Sequence, residues 1–156
     1  MIFAATNSMT TPAISTDALP TRLKAFYERV SVERDAALDD LAALYTSDVH
    51  FVNPVVDKRG IDAFLAVWKK AFRMYRVFEF TNIVVAGTDD VFSLTYSMNI
   101  RFAIGPTFRT DMMTDCRGRD GKVFYCRDYF DPLGTLVGPI APLNWLYRFV
   151  FRFLVA

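Results

Sequence analysis

Two cysteines, one histidine and no run of like charge set the first limits on this 156-residue chain. Cys116 and Cys126 are too few for a disulfide framework, and His50 alone beside them leaves a Cys/His zinc site short of ligands. The net charge is +1 and the lysines and arginines are dispersed, so the electrostatic footprint of a nucleic-acid binder is missing. No apolar stretch reaches the length of a membrane span. The first residues hold no basic segment ahead of an apolar one, which argues against a secretory signal. Both cysteines are read as reduced and the compartment as cytoplasmic. No metal and no organic cofactor are expected.

In place of these stands an excess of aromatic side chains: 15 Phe, seven Tyr and two Trp. With 53% hydrophobic and 22% charged residues the composition is that of one globular domain. Flat, bulky side chains suit a core or pocket built around them. The small, polar residues 1–16 read as a disordered tail, 17–132 as the domain, and 133–156 as a loop and an apolar helix.

Leu19, Leu23, Phe26, Tyr27 and Val30 recur at helical spacing, predicting a helix over 17–30 with Pro20 in its first turn and Thr16 or Asp17 as cap. A short second helix is expected over 36–45, capped by Asp35, with Leu38, Leu41, Ala42 and Tyr45 on one face. A strand over 49–53 stops at Pro54, a loop follows, and 60–75 reads as a third helix with the stripe Ile61, Phe64, Leu65, Trp68 and Phe72. The period then drops to two, giving strands over 76–86, 91–103, 107–117 and 122–131. That order predicts an α+β fold: a curved antiparallel sheet, without parallel pairing, wrapped around three N-terminal helices. Such a sheet leaves a conical cavity, the place for a small ligand. An extra C-terminal helix follows.

The last hairpin can be registered from its turn. Arg119-Asp120-Gly121 fits a three-residue loop, which sets Arg109 opposite Asp131, Thr114 opposite Cys126 and Met112 opposite Asp128. One face then holds Phe108, Thr110, Met112, Thr114, Cys116, Phe124, Cys126, Asp128 and Phe130, and it is taken as the core face. A two-residue loop would reverse the parity and set Asp111 across from Asp128. On the first register a carboxylate is aimed into an apolar layer, which is costly unless it is paired or used. Proton-moving enzymes with greasy pockets need such a group. An exposed or salt-bridged Asp128 is the plainer alternative.

The run Leu41-Ala42-Ala43-Leu44-Tyr45-Thr46-Ser47-Asp48-Val49-His50-Phe51-Val52-Asn53-Pro54, then Gly60 and a helix with Phe64, then Cys126-Arg127-Asp128-Tyr129-Phe130-Asp131, resembles the nuclear transport factor 2-like superfamily. The similarity is to its SnoaL-like branch, which includes polyketide cyclases, limonene-epoxide hydrolase and ketosteroid isomerase, and it covers about residues 18–135. It implies a proton-transfer enzyme acting on a hydrophobic cyclic or lipid-derived ligand, or a binding protein using the same cavity. Asn53 matches the isomerase's catalytic Asp and a water-holding Asn of the hydrolase. Asp128 matches a hydrolase carboxylate and becomes the candidate general acid/base, with Asn53 orienting water or a substrate oxygen. Phe51 stands where the hydrolase has a water-holding Tyr. The hydrolase's Arg-x-Asp has no counterpart in Thr95-Tyr96-Ser97-Met98-Asn99, and Arg109-Thr110-Asp111 sits one strand later on the other face. Tyr27 or Phe26 falls near the isomerase's oxyanion tyrosine. The expected pocket lining is Phe26, Tyr27, Phe51, Phe64, Trp68, Phe72, Tyr96, Met98, Met112, Thr114, Cys126 and Phe130.

His50, between inward Val49 and Phe51, is expected to point away from the cavity. The opposite sheet face, with Tyr125, Arg127, Tyr129 and Asp131, is aromatic enough to predict a homodimer through it. After a loop with Gly134, Gly138, Pro139 and Pro142, Asn144 is expected to cap a helix that is apolar nearly all round. It could plug the cavity mouth, join a dimer, or make a peripheral membrane contact through 143–156 with Arg148 and Arg152 at the headgroups.

Overall fold

Helix α1 (Leu19–Glu33) buries Leu19, Leu23, Phe26, Tyr27 and Val30 along one side, the stripe read from the sequence. In this computed structural model residues 18–137 and 140–155 are described, so the 1–16 tail, the Thr16 and Asp17 caps, Gly138 and Pro139 lie outside them. The cap of α1 comes from elsewhere: the Leu19 N–H donates to Asp89 Oδ1 at 2.9 Å, 70 positions along the chain. Sequence proximity could not show that partner.

The helix expected over 36–45 is divided. Arg34–Asp40 forms a 3-10 turn, Leu41–Leu44 a single helical turn (α2), and Tyr45 opens strand β1 (Tyr45–Asn53). Asp35 lies inside the 3-10 segment and caps nothing. Four apolar side chains, Ala37, Leu38, Leu41 and Leu44, are buried without a regular helix. From Tyr45 on, β-branched and aromatic residues favour a strand, with Tyr45, Val49 and Phe51 inward. Where a loop was expected, strand β2 (Val56–Arg59) pairs antiparallel with β1. Asn53 makes that reversal: its Oδ1 accepts the N–H groups of Val55 (2.9 Å) and Val56 (2.7 Å).

Helix α3 (Ile61–Met74) buries Phe64, Trp68 and Phe72, with Ile61 and Leu65 half-buried. Then come β3 (Val77–Gly87), β4 (Val91–Arg101), β5 (Phe108–Arg119) and β6 (Lys122–Tyr129), followed by α4 (Pro132–Val137) and α5 (Ala141–Val155). The six-stranded sheet runs β2-β1-β6-β5-β4-β3 and is open at both edges. The α+β class holds, with one correction: β1 and β6 are parallel, so the sheet is mixed. The crossover through β2, α3 and three further strands brings β6 back beside β1 in the same direction. Register shifts in β1–β6, β3–β4 and β5–β6 mark irregularities of the kind that bend strands and deepen the twist of a sheet.

The hairpin register is also corrected. Asp120 (φ 54°) and Gly121 (φ 71°) form a two-residue turn in the left-handed region, with Arg119 opposite Lys122. A bulge follows at once: Gly118 pairs with Val123 but Arg117 with Tyr125, leaving Phe124 as the extra residue. The bulge cancels the parity change of the shorter loop. Cys126 and Asp128 therefore keep their expected face, while every partner slides by two residues and Thr114 comes to oppose Asp128. Phe124 is the casualty; Val123 takes the buried place and Phe124 lies half-buried under the Arg119 guanidinium. The expected Arg109–Asp131 pair is replaced: Arg109 faces Asn99, and Asp131 Oδ1 accepts the Gly134 N–H at 2.8 Å in the first turn of α4. That turn occupies part of the expected loop. Asn144 is not a cap either, because α5 begins three residues earlier.

Candidate functional site

A cavity of about 660 Å³ opens between α3 and the inner sheet face. Ten of the residues expected at the site line it: Tyr27, Phe51, Asn53, Phe64, Trp68, Tyr96, Met98, Met112, Asp128 and Phe130. Four do not. Phe26 and Phe72 are buried behind the wall, Phe26 edge-on to Trp68 (5.6 Å) and Phe72 to Phe78 (5.6 Å). Thr114 and Cys126 are almost fully buried in the sheet layer beneath Asp128. Phe78, Phe80, Tyr75, Lys58 and Lys70 also line the cavity and were missed. Phe78 and Phe80 were visible as inward positions of an alternating strand; nothing in the sequence marked the lysines.

The parallel pairing assembles the polar end. Phe51 is paired with Cys126 and Val52 with Arg127, so the next residue of each strand is Asn53 and Asp128. Side chains at matched positions of neighbouring strands point to the same face, and both line the cavity. Asn53 Oδ1 is committed to the β1–β2 turn. Its Nδ2 makes no hydrogen bond among the described residues, so toward the cavity the amide acts as a donor.

Among the described residues Asp128 has a single donor. Thr114 Oγ1 donates to its Oδ1 at 2.6 Å, and Thr114 Oγ1 is 2.9 Å from the Tyr96 hydroxyl. Thr114 has one proton, and with it directed at the carboxylate Tyr96 must donate to Thr114. The Tyr27 ring packs against that of Tyr96, centroids 5.2 Å apart. Two hydroxyls, from β4 and β5, thus form one chain ending on Asp128. Loss of hydration among apolar walls pushes the carboxyl up to about 7, and the Thr114 bond pulls only partly against it. Burial raises Tyr27, Tyr96, Cys116 and Cys126 as well, keeping them neutral. The arrangement can take or give a proton at neutral pH beside an apolar ligand.

The other polar groups lie elsewhere. His50 points out of the cavity, with Nε2 2.8 Å from Asp57 Oδ1 and its ring edge-on to Tyr125. Arg109 and Asp111 are on the outer sheet face, where the Ser97 hydroxyl donates to Asp111 Oδ1 (2.6 Å) and accepts from Arg109 (3.0 Å). On that face Arg117 lies over Tyr125 and Arg127 over Tyr129. Among the described residues no group of three or more His, Cys, Asp or Glu is placed to hold a metal ion.

Comparison with known proteins agrees with this architecture. No curated protein matches the chain. Among solved structures, a hypothetical protein with a ketosteroid isomerase-like fold from Catenulispora acidiphila, in complex with trimethylamine, superposes with a TM-score of 0.66 at 16% identity, over 76% of this chain and 91% of its own. Two proteins described as candidate polyketide cyclases do so comparably. The one from Pseudomonas putida gives 0.65 at 19% identity over 78% and 96%, and the one from Xanthomonas campestris 0.66 at 20% over 83% and 99%. At such identities the likeness speaks for the fold alone. The sequence profile of the SnoaL-like domain matches residues 23–126, about two thirds of the chain. With that match, the chain belongs to the SnoaL-like domain family.

Proposed function

We propose that the chain is a small-molecule enzyme that moves a proton on a hydrophobic ligand held in the α3–sheet cavity, with Asp128 as general acid/base. One observation carries this reading: a carboxyl group with a pKa near 7 and one hydroxyl donor, at the polar end of a largely apolar cavity. Asn53, through Nδ2, orients a ligand oxygen or a water. The volume suits a ring system or a short lipid-derived chain. Lys58 and Lys70 line the cavity and have no ion pair among the described residues, which favours a ligand with an acidic group at the end remote from the reacting atoms. A thermal-shift screen of terpenoids, steroids, fatty acids and aromatic polyketide-like acids, each beside its methyl ester, tests the ligand class. Acids are expected to stabilise the protein more than their esters, and a hit should be converted when incubated with it.

A non-catalytic binding protein is the second reading. Its support is that, among the described residues, Asp128 is the only carboxylate lining the cavity, with an amide beside it in Asn53. Tight binding without product would favour it.

Thr114→Val separates a working carboxyl from a structural one. Losing the donor removes the one interaction that favours ionised Asp128, so its pKa rises further above 7. The limb of the kcat/KM profile that reports Asp128, the acidic one if it acts as base and the basic one if it acts as acid, should move to higher pH by about one unit. Tyr96 also loses its acceptor, at a cost of about 1–3 kcal/mol in stability. An unchanged pH profile would remove Asp128 from the chemistry.

A further inference from the structure

Helix α5 is turned inside out relative to a helix that packs on a soluble domain. Among its described side chains the partly buried ones are Asn144 and Tyr147, and the Tyr147 hydroxyl donates to Asp131 Oδ2 at 3.1 Å. The residues facing outward are large and apolar: Leu143 is 44% exposed, Trp145 67%, Leu146 50% and Val150 46%. A helix that packs on its own domain does the reverse. None of its described side chains lines the cavity. It also lies beyond residue 126, where the match to the family ends.

We propose that α5 is an interfacial anchor that lays its outward face into an anionic lipid surface. Charge selects this occupant over a second copy of the chain. Arg148 and Arg152 are the only charged side chains after Asp131, and both are exposed. One turn apart, they flank the apolar face on the side of Trp145. Packed against the same helix of a second copy, four arginines would lose water with no carboxylate in the segment to meet them. Against lipid phosphates each arginine finds a partner, its stem lying along the apolar boundary. The exposed Trp145 suits the headgroup level. At about 1.5 Å per residue the helix is about 22 Å long, short of a bilayer's apolar thickness. No described helix is long and apolar enough to cross. The helix lies on the surface, which brings the cavity within reach of ligands that partition into lipid.

The test is co-sedimentation of the full chain with phosphatidylcholine vesicles and with vesicles containing phosphatidylglycerol, at low and high salt. Binding is expected to the anionic vesicles and to weaken with salt. Brominated lipids should quench Trp145, whereas Trp68 is only 7% exposed within the domain. Arg148→Gln with Arg152→Gln should weaken anionic binding by about 25-fold, roughly fivefold per arginine. Leu146→Glu with Val150→Glu should abolish it; both sites are exposed, so an unchanged melting temperature is the control for folding. Equal binding to neutral and anionic vesicles overturns the charge argument. Absence of vesicle binding overturns the anchor, and a dimer that the glutamate pair dissociates would then assign the face to a second copy.

Discussion

Asp128→Asn is expected to make the protein more stable at pH 8 while removing its turnover. The folded carboxyl titrates near 7 against 3.8 for its ordinary value, because burial disfavours the charge. Between about pH 4 and pH 7 the unfolded chain has released this proton and the folded chain has kept it, so stability falls as pH rises through that window. Below it both states are protonated, and wild type and variant should melt alike. Above it the wild type carries the full cost of a buried carboxylate, about 2–4 kcal/mol with allowance for the part of Asp128 open to the cavity. The amide bears no charge and still accepts from Thr114. The melting temperature of the variant should therefore exceed that of the wild type by about 5–15 °C at pH 8, with no gap at pH 4. Turnover of a substrate found in the screen should drop by about 10²–10⁴-fold while its binding survives. A stability gap independent of pH would mean that Asp128 is ordinarily solvated, and full activity would end its assignment as acid/base.

Strong periodicity was the part of the fold legible in the sequence. The stripes of α1 and α3 and the alternation of β4 give those elements within a few residues, since each presents one apolar face over several turns or pairs. The misreadings share a cause. The 3-10 turn, α2, β2 and α4 are each seven residues or fewer, too short for a period to assert itself over tertiary contacts. The parallel β1–β6 neighbourhood depends on residues some 75 positions apart, such as Phe51 and Cys126, and no local signal encodes it.

At the candidate site, types were legible and partners were not. Asp128 stood out as a carboxylate on an apolar strand face, and Asn53 by its place before Pro54. The hydroxyl chain through Tyr96 and Thr114 could not be read, because it depends on a register that the two-residue turn and the bulge at Phe124 together displace by two residues. Thr114 looked like one more wall residue; it is the donor that tunes the carboxyl.

Trp68→Ala should unfold the most structure of any single change in the cavity wall. The Trp68 ring lies 5.6–6.2 Å, centroid to centroid, from Phe26, Tyr27, Phe64, Phe72, Phe78 and Phe80. It therefore ties α1, α3 and β3 together from the middle of α3. The space it leaves would merge with the existing cavity, so neighbours have little cause to collapse into it, and the cost should reach about 3–5 kcal/mol. Denaturant unfolding followed by circular dichroism measures this without relying on the lost fluorophore. Trp68→Phe divides packing from chemistry. Trp68 Nε1 is buried with no acceptor among the described residues, so a phenyl ring removes no hydrogen bond to them. It should leave stability within about 1.5 kcal/mol of wild type. If a ligand oxygen accepts from Nε1, the Phe variant should bind that ligand about tenfold more weakly at nearly unchanged stability. If binding is untouched, Trp68 is wall and hub alone, and the polar contacts of the ligand belong to Asp128 and Asn53.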